Sequence, residues 1–153
     1  MGTDAKRARD SCECENGDLM DKPNIILINC DDLGWGDLGV YGSTINKTPA
    51  LDKMAEEGVR FTDFYVASGV CSPSRGALLT GCYPQRIGFG SFDDFWVLFP
   101  GDGIGLNPDE TTIAGALKDV GYSTKIIGKW HCGDQPEFLP TNHGFDSYYG
   151  LPY

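Results

Sequence analysis

A sulfur, a cation and the start of a helix come together within five residues of this chain. Cys71 is followed by Ser72 and Pro73, which are typical of an N-cap and a first helical position, and Arg75 falls in the first turn. The free N–H groups and the dipole of a helix start favour negative charge. Cys71 and Arg75 are therefore predicted to line a site for a tetrahedral oxyanion. A small buried structural cysteine is the alternative.

Two adjacent carboxylates, Asp31 and Asp32, follow a continuous apolar run over residues 24–29. Such a run predicts a buried, parallel strand. Ligands of open α/β sheets gather outside the carboxyl ends of the strands, and oxygen donors favour Ca²⁺, Mg²⁺ or Mn²⁺. The pair is thus a candidate site for a hard cation, with an aspartate-rich turn as the alternative.

Lys129 and His131 follow a predicted strand over residues 123–127. If the chain stays extended, both side chains project from the same face, because side chains alternate along a strand. A cation beside an imidazole suits an oxyanion and its leaving group. The alternative is a surface lysine next to a packed histidine.

The elements that position these residues alternate between helix and strand. Helices are predicted from Thr48 to a stop at Gly58, from Ser72 to a C-cap at Gly81, and from Thr111 or Thr112 to Gly121. A further strand is predicted over residues 59–66. This alternation predicts an α/β sheet with helices on its faces.

Residues 88–110 are rich in glycine, phenylalanine and aspartate, and are predicted to form a long surface loop. Its aromatic residues Phe92, Phe95 and Trp96 are candidates for stacking on a sugar or aryl group, or for local packing.

Composition narrows the classes of partner. The chain has 153 residues and a net charge of −10, which argues against binding to nucleic acid or to an anionic membrane. Residues 1–22 are polar, show no signal peptide and are predicted to be a flexible leader. Cys12 and Cys14 lack a second pair at zinc spacing, so they carry no metal prediction. The six cysteines show no regular spacing, so they do not indicate whether the protein works in an oxidising or a reducing compartment.

Three stretches of the chain carry a resemblance to a known family. Cys71-Ser72-Pro73-Ser74-Arg75 and the residues up to Gly81 resemble the signature of the type I sulfatases. The stretch from Gly128 to Gly133, read as G-K-W-H-C-G, resembles the second signature of that family. Asp31-Asp32 and the following residues to Gly42 resemble the segment after the first strand of a sulfatase.

The resemblance implies a fold and a chemistry. It implies an alkaline-phosphatase-like, mostly parallel sheet flanked by helices. It also implies that a formylglycine-generating enzyme converts Cys71 to formylglycine, whose hydrated aldehyde attacks the sulfur of a sulfate ester. The implied substrate is an aryl or carbohydrate sulfate. The implied metal is Ca²⁺, with Mg²⁺ as an option.

The resemblance also assigns roles to individual residues of this sequence. The implied metal ligands are Asp31, Asp32 and the modified Cys71. The implied catalytic residues are Cys71, Arg75, Lys129 and His131: Arg75 steadies the hydrated aldehyde and the metal site, Lys129 contacts sulfate, and His131 assists the chemistry of the hydrated aldehyde or its collapse.

The resemblance covers residues 23–153, and sulfatases are much longer. We therefore expect these residues to be the N-terminal part of a catalytic domain whose remaining metal ligands lie elsewhere. Two alternatives to a sulfuric-ester hydrolase stay open. One is a phosphatase or phosphonate-ester hydrolase of the same superfamily, and the other is a truncated, non-catalytic fragment. The family is often exported or lysosomal, but the sequence does not identify a compartment.

Overall fold

The computed structural model of the protein describes residues 22–92 and 95–153, which belong to two units. The first unit ends at Asp32, and the second runs from Leu33 to Tyr153. The predicted leader lies almost entirely outside the described residues, as do Cys12 and Cys14. Its flexibility stays a prediction.

The sheet of the second unit consists of two parallel strands, β1 (Lys125–Lys129) and β2 (Ser147–Leu151). Lys129 at the end of β1 is aligned with Leu151 at the end of β2. Parallel strands need a long crossover connection, and here it contains two short 3₁₀ turns, Pro136–Phe138 and Pro140–Asn142. The α/β class with a parallel sheet is thus confirmed.

Within residues 22–92 and 95–153, three α-helices precede this sheet along the chain: α1 (Pro49–Glu57), α2 (Cys71–Thr80) and α3 (Ile113–Asp119). Two 3₁₀ turns, Trp35–Asp37 and Gly39–Tyr41, lie before α1. None of the helices in the described ranges is long and apolar enough to cross a membrane.

The predicted ends of the helices agree well with the structure. Gly81 adopts the left-handed conformation (φ 67°) and its N–H bonds the carbonyl of Ala77, which closes α2 as expected. The Thr112 hydroxyl accepts the N–H of Gly115 and caps α3.

The predicted N-cap of α2 is wrong by two residues. Val70 is the N-cap, because its carbonyl accepts the N–H of Ser74 at 3.2 Å, so Cys71 lies within the helix instead of before it. Ser72 does not cap the helix. Its buried hydroxyl instead accepts a hydrogen bond from the N–H of Leu98 at 3.1 Å.

The two predicted strands before α2 are absent from the structure. Residues 24–29 and 59–66 are not part of a strand, and Ile26 and Val59 are each 84% exposed. A strand requires a neighbour to complete its hydrogen bonds, and in the described part of the chain only β1 and β2 pair as strands. In residues 59–66, the carbonyl of Phe61 instead accepts the hydroxyl of Tyr41 at 2.8 Å.

The hydrophobic core lies between α2, residues 87–106 and the segment after β1. Its buried members are Leu79, Ile87, Phe89, Phe92, Leu98, Leu106, Trp130 and Cys132. Residues 88–110 are therefore not simply a surface loop, as the composition predicted. Several of their apolar side chains are buried in the core, and this packing fixes the loop beside the start of α2.

Candidate functional site

The start of α2 forms one side of the candidate site. Cys71 is the first residue of this ten-residue helix and is partly exposed. The first N–H groups of a helix have no partner within the helix, and its dipole favours negative charge at this end. The thiol of Cys71 thus lies where an anionic group is stabilised.

The end of β1 brings a cation to the same place. The Nζ of Lys129, the last residue of β1, lies 3.5 Å from the Sγ of Cys71. The two residues are 58 positions apart in the chain, so this contact depends on tertiary structure. An ammonium group beside the first residue of a helix is suited to binding an oxyanion.

Arg75 connects the two elements directly. One turn into α2, its Nη1 donates a hydrogen bond to the backbone carbonyl of Lys129 at 2.8 Å. The guanidinium also lies near the fully buried thiol of Cys132, whose pKa is raised by burial and lowered to a smaller extent by Arg75. Arg75 thus fixes the backbone from which the Lys129 side chain reaches Cys71.

The expectation that Lys129 and His131 extend from one strand face is wrong. β1 ends at Lys129, and His131 has a left-handed backbone conformation (φ 58°). The N–H of Trp130 bonds the carbonyl of Leu151, and the N–H of His131 bonds that of Pro152 at 3.0 Å. The Trp130 side chain, which lies between Lys129 and His131 in the chain, is completely buried in the core.

The buried Trp130 lies between Lys129 and His131 and is held firmly in place. Its Nε1 donates to the carbonyl of Phe138 at 2.8 Å, and its ring lies 5.4 Å from the ring of His143. Burial lowers the pKa of His143, an effect opposed by the Phe138 carbonyl. The His143 ring packs against Trp130 in the core.

Leu98 joins the two motifs, although no pattern in the sequence points to it. Its N–H bonds the hydroxyl of Ser72 in α2, and its carbonyl contacts the Nε2 of His131 at 2.8 Å. Leu98 makes both hydrogen bonds with its backbone N–H and C=O, so its residue type could not have predicted them. Through Leu98, His131 is connected to the same helix start as Cys71.

The aromatic residues of the 88–110 segment divide into two groups. Phe92 is buried and packs against Phe89 with ring centroids 5.1 Å apart, so of the two alternatives local packing holds for this residue. Phe95 and Trp96 are 57% and 78% exposed, and they precede Leu98 by three and two residues. They remain candidates for contact with an aryl or sugar group.

Asp31 and Asp32 end the first unit in a turn, and both are exposed. Asp32 has a left-handed backbone (φ 57°), which aspartate tolerates better than most residues. Carboxylates are the donors that a hard cation prefers. However, no group of three or more histidine, cysteine or acidic residues able to hold a metal occurs in the described residues. The pair fits such a cation by chemistry, but two carboxylates do not complete a site.

The comparisons with known proteins agree on one family. The sulfatase family model matches residues 23–153. Over 133 residues, the chain is 50% identical to N-acetylgalactosamine-6-sulfatase of Sus scrofa, covering 85% of this chain and 26% of that protein. It is 53% identical to arylsulfatase A of Bos taurus, covering 86% of this chain and 25% of that protein.

Solved structures give the same result. The crystal structure of Ps i-CgsB matches with a TM-score of 0.78 and 45% identity, covering 85% of this chain and 28% of that one. A second structure, solved with its substrate D-glucosamine-2-N,6-O-disulfate, matches with a TM-score of 0.62 and 31% identity, covering 77% of this chain and 21% of that one. The structural neighbours have the alkaline-phosphatase-like fold, as expected. The chain spans about a quarter of the length of the curated relatives that it matches.

Proposed function

Because the chain belongs to the sulfatase family, we propose that it supplies part of the active site of a sulfuric-ester hydrolase. The observation that carries the proposal is the approach of Lys129 Nζ to within 3.5 Å of Cys71 Sγ. The two groups come from the two sulfatase-like motifs. An ammonium group that close to a helix start favours a bound anion such as a sulfate ester.

Cys71 is proposed as the residue that a formylglycine-generating enzyme converts to an aldehyde. Once formed, this group supplies an oxygen nucleophile through its hydrate. The partial exposure of Cys71 at the start of α2 supports the assignment, since a fully buried residue could not be reached by a sulfate ester. Cys132, by contrast, is completely buried, so a nucleophile at that position would not meet a sulfate ester.

Lys129 and Arg75 have different proposed tasks. Lys129 directs its ammonium group toward Cys71 and binds a sulfate oxygen as charge develops during the reaction. Arg75 holds the Lys129 backbone by the 2.8 Å hydrogen bond and adds a second positive charge next to the helix start. His131, linked to α2 through Leu98, is proposed to hold or transfer a proton there.

Asp31 and Asp32 are proposed as two of the ligands of a divalent cation, Ca²⁺ or Mg²⁺. Their oxygen donors support a hard cation, which would polarise sulfate oxygens when bound. The described residues do not complete such a site, so further ligands are required.

The proposed substrate is a carbohydrate or aryl sulfate. N-acetylgalactosamine-6-sulfatase and the structure with D-glucosamine-2-N,6-O-disulfate are named for sulfated amino sugars, which supports the carbohydrate class. The exposed rings of Phe95 and Trp96, next to the residue that links both motifs, suit the flat face of a sugar or an aryl ring.

The test begins with the protein isolated from its natural source. Fragmentation of the peptide spanning residues 71–81 identifies whether residue 71 carries an aldehyde or a thiol. Turnover of an aryl sulfate is then compared with turnover of the matching aryl phosphate. Cys71→Ala removes the proposed modification site, and Cys82→Ala is the matched control because Cys82 lies outside both motifs.

An aldehyde at residue 71, sulfate turnover that Cys71→Ala abolishes, and an active Cys82→Ala variant are the expected results. Preferred turnover of the phosphate would support the phosphatase alternative. A thiol at residue 71 together with no turnover of either ester would support a non-catalytic fragment and would overturn the proposal.

A further inference from the structure

Three buried groups form a continuous hydrogen-bonded connection between α2 and the second motif. The N–H of Leu98 donates to Ser72 Oγ at 3.1 Å, and the carbonyl of Leu98 lies 2.8 Å from His131 Nε2. Ser72, Leu98 and His131 are all buried. In such surroundings a polar group without a partner is costly, so these bonds strongly constrain the side chains that make them.

The second of these bonds determines which nitrogen of His131 carries a proton. A backbone carbonyl can only accept a hydrogen bond, so Nε2 must be the donor. In the neutral imidazole the lone pair is then on Nδ1. The Leu98 carbonyl thus selects one of the two tautomers and fixes the direction of the ring.

We propose that Ser72 is a positioning residue for His131 and acts through the backbone of Leu98. By accepting the Leu98 N–H, Ser72 holds that peptide so that its carbonyl receives the Nε2 proton of His131 and leaves Nδ1 as the basic nitrogen. This inference rests on the proposed function for the use that His131 makes of Nδ1. The tautomer itself is independent of any activity.

Other hydrogen bonds hold the chain that follows Leu98, so the effect of Ser72 is limited to the Leu98 peptide. Beyond Leu98, the N–H of Gly101 bonds the Asp134 carboxylate at 2.7 Å, and the N–H of Leu106 bonds the Cys132 carbonyl at 2.8 Å. These bonds hold the segment without Ser72. Loss of the Ser72 hydroxyl is therefore expected to release the Leu98 peptide while the rest of the segment stays in place.

The first experiment measures the tautomer by ¹⁵N NMR of histidine-labelled protein. The 153-residue sequence contains two histidines, and His143→Gln identifies the signals of His131. We expect the wild-type His131 ring to be protonated on Nε2 at neutral pH. A ring protonated on Nδ1 alone would overturn the proposal, even if every serine variant failed to fold.

The second experiment compares Ser72→Ala with Ser72→Thr, which keeps the hydroxyl. Thr112→Ala is the matched control, because Thr112 is also a buried hydroxyl with a backbone partner, the His143 carbonyl at 2.6 Å. In Ser72→Ala we expect a mixture of His131 tautomers and a kcat lower by about tenfold at nearly unchanged KM. Ser72→Thr is expected to have the wild-type His131 tautomer and the wild-type kcat. Thr112→Ala is expected to keep the wild-type tautomer.

The outcomes separate this inference from the proposed function. Sulfatase turnover with a wild-type His131 tautomer in Ser72→Ala would overturn the role of Ser72 and leave the proposed function intact. Absence of turnover in the wild type, with the tautomer shifting in Ser72→Ala, would refute the function and retain the structural connection. A Ser72→Thr variant that behaves like Ser72→Ala would also count against the hydrogen bond to Leu98.

Discussion

Arg75 Nη1 donates a 2.8 Å hydrogen bond to the backbone carbonyl of Lys129, a residue 54 positions further along the chain. This bond joins the first turn of α2 to the last residue of β1. It also holds the backbone from which Lys129 Nζ approaches Cys71 Sγ. The motifs over residues 71–81 and 128–133, which are far apart in the sequence, are therefore joined in the folded chain.

Replacement of Arg75 by lysine should weaken this connection, because lysine is shorter and lacks the planar set of donors of a guanidinium. We expect Arg75→Lys to lower the free energy of unfolding by about 1–3 kcal/mol, measured by urea denaturation. Arg60→Lys is the control, since exposed Arg60 makes the same type of bond to the Val40 carbonyl at 2.7 Å. Its effect should stay below about 0.5 kcal/mol. Equal losses in both variants would contradict a special role for Arg75.

Removal of the Lys129 charge should reduce catalysis more than it reduces stability. If Lys129 binds a sulfate oxygen, Lys129→Gln is expected to lower kcat/KM for an aryl sulfate by about 10²–10³-fold. Lys125→Gln removes the same charge from the exposed start of β1 and should change kcat/KM by no more than about threefold. Steady-state kinetics of the two variants test this prediction. Similar losses of kcat/KM in both would assign the effect to the overall charge of the protein.

The exposed Trp96 ring is expected to bind the organic part of the substrate. Trp96→Ala should raise KM by about 2–10-fold and leave kcat nearly unchanged, because a stacking contact contributes about 0.5–1.5 kcal/mol. Tyr83→Ala is the control, as Tyr83 is 77% exposed and also aromatic. Initial-rate measurements with a sugar sulfate and an aryl sulfate test this. An unchanged KM in Trp96→Ala would exclude the contact.

Asp146 should make the stability of the protein depend on pH in the acid range. A bond from Lys118 at 2.7 Å, supported by the Thr124 N–H at 2.8 Å, holds the pKa of the Asp146 carboxyl below its usual value. Since the folded pKa is the lower one, the unfolded chain binds the proton more readily. The stabilisation is therefore complete above the usual aspartate pKa of about 4 and is lost as pH falls through the folded pKa.

Urea midpoints measured at a series of pH values between neutral and strongly acid check this expectation. The difference in stability between wild type and Asp146→Asn should be largest above about pH 4 and should shrink below it. Lys118→Met should reduce the size of this pH-dependent difference, because it removes the main cause of the lowered pKa. If the difference in stability between wild type and Asp146→Asn does not vary with pH, the charge of the Asp146 carboxylate does not contribute to stability.

The helices and the residue types of the site could be predicted from local sequence. Gly81 ends α2 and Thr112 caps α3 because these effects depend on the conformation of a few neighbouring residues. The strands were less predictable. Residues 24–29 and 59–66 have strand-like composition but no strand structure, since a strand exists only with a partner, and hydrophobic pattern does not identify that partner.

The sequence by itself determined which groups were available: the cysteine and arginine near the start of α2, the lysine and histidine at and just after the end of β1, and the adjacent aspartates Asp31 and Asp32. Only the tertiary structure decided how some of them meet. In the folded chain Lys129 Nζ lies beside Cys71 Sγ, His131 Nε2 lies beside the Leu98 carbonyl, and Trp130, between Lys129 and His131 in sequence, is buried in the core. Contacts between residues far apart in the chain depend on the packing of the whole core, and neither motif encodes that packing on its own.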